Sequence, residues 1–200
     1  MKVITIFNYP PTKFNNHMFK VWLNQVRENT DGCHIKILSK TQPNPYIEDL
    51  ISGDGDIEWC VCGYGDINTE KFRPHQKHHN LLFKLPNLSK ETDPFIFIDV
   101  DAFVINDLNN IWECRDDKPL IGINHQNIPK HTDGVDEPFL NSGVMVVGDP
   151  KILDLEDIVD KFPGYLCKGV DQSILFSYFK TIKYDYTHPN VGHGWNACAA

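Results

Sequence analysis

A short run of bulky apolar residues ends in two aspartates, and this run constrains the fold more than any other segment. Residues 95–98 read Phe-Ile-Phe-Ile and are followed by Asp99-Val100-Asp101. An uninterrupted run of Phe and Ile is typical of a strand buried on both faces, as in a parallel sheet covered by helices. The two carboxylates would then emerge where the strand leaves the core, which is where open α/β sheets bind ligands.

Strand-like segments alternate with helix-like segments along the chain. The strand-like segments span about 2–7, 33–38, 57–62, 95–99, 119–124, 143–148 and 181–186, and the helix-like ones lie near 15–28, 69–85, 152–161 and 170–179. This alternation predicts an α/β fold with a mostly parallel sheet flanked by helices. The chain has 200 residues, 41% of them apolar, and no obvious linker, so we expect a single domain over residues 1–200.

Charge and cysteine content disfavour some classes of partner and site. A net charge of −8 disfavours binding to phosphate backbones or anionic lipids. The first apolar segment is too short for a signal peptide and no stretch approaches a membrane span, so we expect a cytoplasmic protein. The six cysteines are irregularly spaced, which favours free thiols, and Cys60-Val61-Cys62 lacks the second pair of a zinc finger.

Two segments have apolar residues at helical spacing, and a third segment is typical of a long loop. Apolar residues at helical spacing predict core faces, and they are Met18, Val21, Trp22 and Val26 in one helix and Ile174, Leu175, Tyr178 and Phe179 in another. Residues 125–140 have no clean period and predict a binding loop or lid that leads into Asn141-Ser142-Gly143 and an apolar strand.

The two aspartates are spaced to act as one site. Residues i and i+2 of a strand point to the same face, so the carboxylates of Asp99 and Asp101 stay close together. We expect the chain to turn directly after the strand, where both carboxylates reach solvent. Paired carboxylates there could bind Mg²⁺ or Mn²⁺ together with diphosphate oxygens. Asp-x-Asp alone is a common pattern, and a structural role for it stays open.

Further motifs follow in a family-like order. They are Ile6-Phe7-Asn8-Tyr9 at the end of the first strand, Val104-Ile105-Asn106-Asp107-Leu108 after the aspartates, Phe139-Leu140-Asn141-Ser142-Gly143 with Val144-Met145-Val146-Val147, Asp171-Gln172-Ser173, and a tail with His188, His193 and Trp195. Together with Asp99 and Asp101 they resemble the metal-dependent nucleotide-sugar glycosyltransferases of the GT-A (Rossmann-like) fold. The resemblance covers nearly the whole chain and is strongest to the retaining family 8, which includes glycogenin-like and galactosyltransferase-like enzymes.

The resemblance implies roles for the residues that match. Phe7, Asn8 and Tyr9 would hold the nucleobase and ribose of the donor, although Phe7 could equally be core and Tyr9 part of a turn. Asp99 and Asp101 would bind manganese or magnesium, with Asp99 also near the donor's ribose or diphosphate. The matching donor-sugar segment is Asn141, Ser142 and Gly143.

The tail departs from the family pattern. Similar enzymes supply a third metal ligand from a His-x-x-Gly-x-x-Lys-Pro-Trp segment, and here the lysine and proline are missing. His193, between two glycines, is the first choice for this ligand and His188 the second, with Trp195 beside the substrate. Either Lys77 or Lys84 could replace the missing positive charge near the diphosphate, and a solvated helix face is an equal alternative for both.

Asp171 and Gln172 match the Asp-Gln pair that lies beside the reacting carbon in similar enzymes. A helix cap is the alternative use of Asp171. The resemblance implies transfer of a sugar, by default from a UDP-hexose, with retention of configuration and without an assigned enzymic nucleophile. The acceptor is open between a glycan, a protein side chain, a small molecule and, disfavoured by charge, a modified DNA base. Oligomeric state is likewise unassigned.

Two other functions compete with glycosyl transfer. Haloacid-dehalogenase-like phosphatases also place Asp-x-Asp after a strand, but theirs lies close to the N-terminus and continues differently from Phe103. A catalytically inactive GT-A-like binding domain is the non-enzymatic alternative.

The histidines His75, His78 and His79 lack the acid of a His-Glu-x-x-His metal site, which favours a polar helix face.

Overall fold

The computed structural model describes residues 1–64, 81–125, 139–161, 170–189 and 191. Its centre is a six-stranded sheet of order β3-β2-β1-β4-β6-β5. The strands are β1 Lys2–Ile6, β2 His34–Ser39, β3 Ile57–Val61, β4 Phe95–Ile98, β5 Leu120–His125 and β6 Phe139–Val147. The first four are parallel, and β6 runs antiparallel to both of its neighbours, β4 and β5. The predicted mostly parallel α/β sheet is confirmed.

Six α-helices are described around this sheet. They are α1 Lys13–Glu28, α2 Pro45–Ile51, α3 Leu81–Leu88, α4 Asn109–Trp112, α5 Leu155–Lys161 and α6 Val170–Thr181, with 3₁₀ turns at Glu113–Asp116 and Pro150–Leu153. Side-chain caps start two of them. Thr12 accepts a hydrogen bond from the N–H of Asn15 at α1, and Asn44 accepts from Tyr46 and Ile47 at α2.

The two faces of the sheet are covered by separate apolar clusters. On one face, α1 packs against β1, β2 and β4 through Phe19, Trp22, Leu23 and Val26. On the other, α6 packs through Ile174, Leu175, Tyr178 and Phe179, the four residues predicted for its core face. All four residues of β4 are buried, as expected for a strand between two helical layers.

Two predictions differ from the structure. Helix α2 is absent from the predicted helices, and Pro45 occupies its first turn, where the missing N–H of proline needs no partner. Residues 181–186 are not a strand: α6 continues to Thr181 and Lys183 then adopts a φ of 54°. The alternation there reflects buried Tyr186 and half-buried Tyr184, whose hydroxyl binds β5.

The segment boundaries also shift. The predicted helix over 152–161 is a 3₁₀ turn followed by α5, and the predicted strand from 143 begins earlier, at Phe139. Of the predicted helix over 69–85, residues 69–80 lie outside the described residues, as do residues 126–138 of the predicted loop over 125–140.

Candidate active site

The chain turns directly after β4, as expected from the sequence. The N–H of Ala102 donates to the carbonyl oxygen of Asp99 over 3.0 Å, which closes a turn over residues 99–102. The side chain of Asp99 is 38% exposed, and Asp101 at the turn's centre is exposed. Both carboxylates therefore lie at the carboxyl end of β4 within reach of solvent.

A β-bulge in β6 brings the Asn-Ser-Gly segment to this turn. Gly122 of β5 is level with Met145, but the next residue of β5 is level with Asn141, so residues 142–144 have no opposite residue on β5. The carbonyl oxygen of Gly143 accepts a hydrogen bond of 2.7 Å from the N–H of Asp99. A Cβ at Gly143 would lie 3.1 Å from Asp99 Oδ2, so the glycine allows the close approach of the carboxylate.

Lys84 of α3 places a buried cation behind these residues. Its Nζ donates to the Ser142 carbonyl oxygen at 2.7 Å and to Ser142 Oγ at 3.2 Å, and lies 3.5 Å from Asp99 Oδ1. The same nitrogen sits 4.0 Å from the centre of the Phe97 ring. Lys84 is only 4% exposed, so it is not part of a solvated helix face.

The end of β1 presents one of its three predicted residues to solvent. Phe7 is buried among Phe19 and Trp59 and supports the neighbouring Tyr9 ring, so direct substrate contact through Phe7 is not supported. Tyr9 is 42% exposed. Burial raises the pKa of the Tyr9 phenol, and the negative charges of Asp101 and Asp99 raise it further.

Asn8 lies between β1 and the residue that follows β2. Its Oδ1 accepts a hydrogen bond of 2.7 Å from the N–H of Lys40. Its Nδ2 is buried and has no hydrogen-bond partner among the described residues. An unpaired buried donor is uncommon in proteins, and this one adjoins the edge at which the donor is expected.

Asn141 links the bulge to α6. Its Oδ1 accepts from the N–H of Gly143 at 2.8 Å and from Gln172 Nε2 at 3.4 Å. The structure thus brings Gln172 to the Asn-Ser-Gly segment. Asp171 precedes it in the first turn of α6. Asn141 and Ser142 are 5% and 1% exposed, so only a small part of either side chain faces a ligand in this conformation.

His188 is not placed with the aspartates. Its Nε2 lies 2.9 Å from Asp117 Oδ2, in the loop before β5. The first residues of β4 and β5 both pair with Val147 of β6, so the two strands begin at the same end of the sheet. Asp117 precedes β5 and therefore lies at this end, where β4 and β5 have their amino ends. Asp99 follows the carboxyl end of β4, about 13 Å along the strand from the first residue of β4. His188 therefore does not lie with Asp99 and Asp101, which corrects its prediction as their third metal ligand.

Several predicted residues lie outside the described residues. They are Lys77, His193, Trp195 and the histidines His75, His78 and His79. Of the two lysines and two histidines left open by the sequence, the structure places Lys84 at the site and His188 away from it. His193 remains the predicted third ligand.

A groove beside Asp101 was not predicted. It encloses about 600 Å³ between α1 and the segment after the turn, and its lining includes Tyr9, Met18, Trp22, Asp101 and Phe103. Met18, predicted as core, packs against the core and also lines this groove, and Val21, likewise predicted as core, lines the groove. The signal was present in the sequence as an α1 stripe wider than one sheet contact needs.

The donor atoms at the turn suit a hard divalent cation. Asp99 and Asp101 offer carboxylate oxygens, which Mg²⁺ and Mn²⁺ prefer. Among the described residues, no cationic side chain forms an ion pair with Asp101. Lys84 already neutralises part of the charge of Asp99. The described residues therefore offer carboxylate oxygens of the kind that magnesium and manganese bind.

Comparison with solved structures identifies the architecture. The galactosyltransferase LgtC, in complex with donor and acceptor sugar analogues, superposes with a TM-score of 0.60 at 17% identity, over 90% of this chain and 70% of LgtC. Mouse xyloside xylosyltransferase 1 gives 0.56 at 12% identity, over 96% and 84% of the two chains. The chain has the GT-A-like fold of these glycosyltransferases.

A third glycosyltransferase structure shares this fold over part of its length. The glycosyltransferase GlyE of Streptococcus pneumoniae TIGR4 has a TM-score of 0.56 at 17% identity, and this chain covers only 43% of it. No protein-family profile and no curated protein sequence matches the chain. In the described part of this GT-A-like fold, no helix combines the length and the apolar character needed to cross a membrane.

Proposed function

We propose that this chain is a metal-dependent glycosyltransferase that moves a hexose from a UDP-sugar to an acceptor hydroxyl with retention, as in family 8. The observation that supports it most is the convergence of three elements at one edge of the sheet. The Asp99–Asp101 turn, the Asn141–Gly143 segment at the β6 bulge and buried Lys84 meet at the carboxyl end of β4. This is the edge at which open α/β sheets bind nucleotides.

The donor would lie along this edge from β1 to β6. Tyr9 offers an exposed ring for the nucleobase, and Asn8 an amide donor without a described partner. Asp99 would meet the ribose or diphosphate. Asn141, Ser142 and Gly143 would border the sugar, where the glycine allows close approach to the backbone.

The diphosphate would be held by cationic groups on two sides. Mn²⁺ or Mg²⁺, when bound by Asp99, Asp101 and His193, would supply charge neutralisation for the leaving group. Lys84 supplies a fixed positive charge behind Asp99, 3.5 Å from Oδ1, and its burial makes that charge effective over a short range. Lys84 thereby orients Asp99 and contributes to the potential at the diphosphate.

The reaction exchanges one bond of the anomeric carbon. The bond from this carbon to the diphosphate oxygen breaks, and its electron pair stays with the diphosphate. A bond forms to the acceptor oxygen on the same face, and the acceptor proton passes to a diphosphate oxygen. Gln172, held to Asn141 over 3.4 Å, and Asp171 would stabilise the electron-poor carbon through their polar groups.

A panel of nucleotide sugars tests this function. UDP-glucose, UDP-galactose, UDP-xylose and GDP-mannose are each added with Mn²⁺ or with EDTA, and both Tm and released nucleoside diphosphate are measured. A donor at about 100 times its Kd stabilises the fold by about 2.7 kcal/mol. For a chain of this size the corresponding rise in Tm is about 5–10 °C. We expect that rise for one UDP-sugar with Mn²⁺ and not with EDTA.

The same panel separates the competing functions. Donor binding with no release of nucleoside diphosphate, with or without glycan, peptide and small-molecule acceptors, would support the inactive binding domain. Hydrolysis of p-nitrophenyl phosphate without any donor-dependent stabilisation would support the phosphatase. The position of the aspartates after β4, the fourth of the described strands, favours glycosyl transfer over that phosphatase.

A further inference from the structure

Three potential metal ligands of mixed type meet at the other end of the sheet. Cys114 Sγ, a carboxylate oxygen of Asp117 and a ring nitrogen of His188 all lie within 4.8 Å of one another. Sulfur, nitrogen and oxygen donors in one cluster suit zinc, whereas magnesium and manganese prefer oxygen alone. The cluster lies at the amino end of β5 and is independent of the proposed donor site.

The chain fixes these three residues without help from a metal. Cys114 lies in the 3₁₀ turn and Asp117 three residues later, a spacing that places both on one side of a helical turn. His188 comes from the segment after α6. Lys118 holds that segment through hydrogen bonds to the carbonyl oxygens of Asp185 and Thr187.

Burial leaves one direction open for a further ligand. Cys114 is 5% exposed and the His188 side chain 8%, but the Asp117 side chain is 59% exposed. A cation in the cluster would be enclosed by the thiol and the imidazole, and open to solvent on the side of the carboxylate. A water molecule could complete a tetrahedral set there.

Small side-chain movements would bring the three atoms to zinc distance. Zn–S and Zn–N bonds of about 2.3 and 2.0 Å separate neighbouring ligand atoms by about 3.5 Å in a tetrahedron. His188 Nε2 and Asp117 Oδ2 are already 2.9 Å apart. The thiol is 3.7 Å from the carbonyl oxygen of Asn110, a long contact that is easily given up for a metal bond.

We propose that Cys114, Asp117 and His188 form a zinc site with water as the fourth ligand. The site joins the segment after α6 to the turn before β5. It therefore fixes the start of the tail that contains His193 and Trp195. Zinc here and magnesium or manganese at Asp99 and Asp101 would be two separate sites at opposite edges of the sheet.

Metal analysis of the full chain tests this proposal. The purified protein is incubated with excess zinc, passed through a desalting column and analysed by mass spectrometry for metal content. We expect one zinc per chain for the wild type, for Asp101→Asn and for Cys33→Ser, which removes a buried thiol from another part of the fold. Cys114→Ser should retain almost none.

Two further measurements keep the proposal falsifiable if Cys114→Ser does not fold. Asp117→Asn changes a mostly exposed side chain and should weaken zinc binding about tenfold or more. Cobalt in place of zinc should give a thiolate-to-cobalt absorption band in Cys33→Ser. A wild type without bound zinc, or an Asp117→Asn variant with unchanged zinc affinity, would overturn the site. Zinc retained by Cys114→Ser would do the same, and none of these results bears on donor binding.

Discussion

Lys84 Nζ donates to the carbonyl oxygen of Ser142 over 2.7 Å and lies 3.5 Å from Asp99 Oδ1. One buried ammonium group therefore joins α3, the bulge of β6 and the turn after β4. These are the three elements that form the candidate active site. A change at Lys84 should consequently alter both the stability of this edge and the position of Asp99.

Replacing Lys84 by Met removes the charge and the hydrogen bonds of the side chain but keeps most of its volume. The variant keeps an unbranched side chain but removes the hydrogen bonds to buried Ser142, and losing such a bond costs about 1–3 kcal/mol of unfolding free energy. We expect a loss of that size in urea unfolding, with no loss for the control Lys90→Met, because Lys90 is exposed. A more stable Lys84→Met would mean that the cost of burying the ammonium outweighs its bonds.

Gly143→Ala should impair the donor site more than it impairs the fold. The new Cβ would meet Asp99 Oδ2 at 3.1 Å, closer than most Cβ contacts, so the carboxylate must shift by a few tenths of an ångström. We expect weaker Mn²⁺-dependent donor binding in calorimetry and a change in Tm of only a few degrees. Gly55→Ala is the control, since a Cβ there meets nothing within 4 Å. Equal donor affinity in the two variants would contradict the role of Gly143.

Asp185 should make the fold sensitive to acid. The hydrogen bond from Lys118, together with those from Thr187, lowers the pKa of Asp185 from 3.8 to about 2. The unfolded chain therefore binds this proton more readily than the folded one, and the contribution is full above the ordinary value and lost as pH falls towards about 2.

Urea unfolding at several pH values measures this contribution. The unfolding free energy of the wild type should fall more steeply over that acid range than that of Asp185→Asn. Lys118→Met should give a slope between those of the wild type and Asp185→Asn, because it removes the first cause of the lowered pKa and leaves the hydrogen bonds from Thr187. Equal slopes for the wild type and Asp185→Asn would contradict the assignment. The carboxylate is 70% exposed, so we expect a modest difference.

Local patterns predicted the parts of the fold that depend on local chemistry. The apolar run of β4 and the core face of α6 each have their own pattern, and both are confirmed. The expected turn directly after β4 is present, but the spacing of Asp99 and Asp101 does not require it, because residues i and i+2 share one face of a strand. The bulge could not be predicted, since it depends on the register between β5 and β6.

The sequence could not predict the residue positions that depend on tertiary packing. Lys77 and Lys84 were equivalent as sequence positions, and burial against Ser142 distinguishes Lys84. His188 was considered beside Asp99 because the tail resembles a metal-binding segment, but the path of the chain after α6 places it beside Asp117. The helix α2 was missed because Pro45 marks turns as well as helix starts.

Calorimetry of the responsive UDP-sugar with Mn²⁺ tests the central proposal most directly. The experiment compares the wild type with Asp101→Asn and with Asp93→Asn, which removes an exposed carboxylate just before β4 at the opposite edge. Wild type and Asp93→Asn should bind the donor only in the presence of Mn²⁺, and Asp101→Asn should bind it at least about tenfold more weakly. Donor affinity that is unchanged in Asp101→Asn, or no binding by the wild type to any sugar of the panel, would contradict the proposed site.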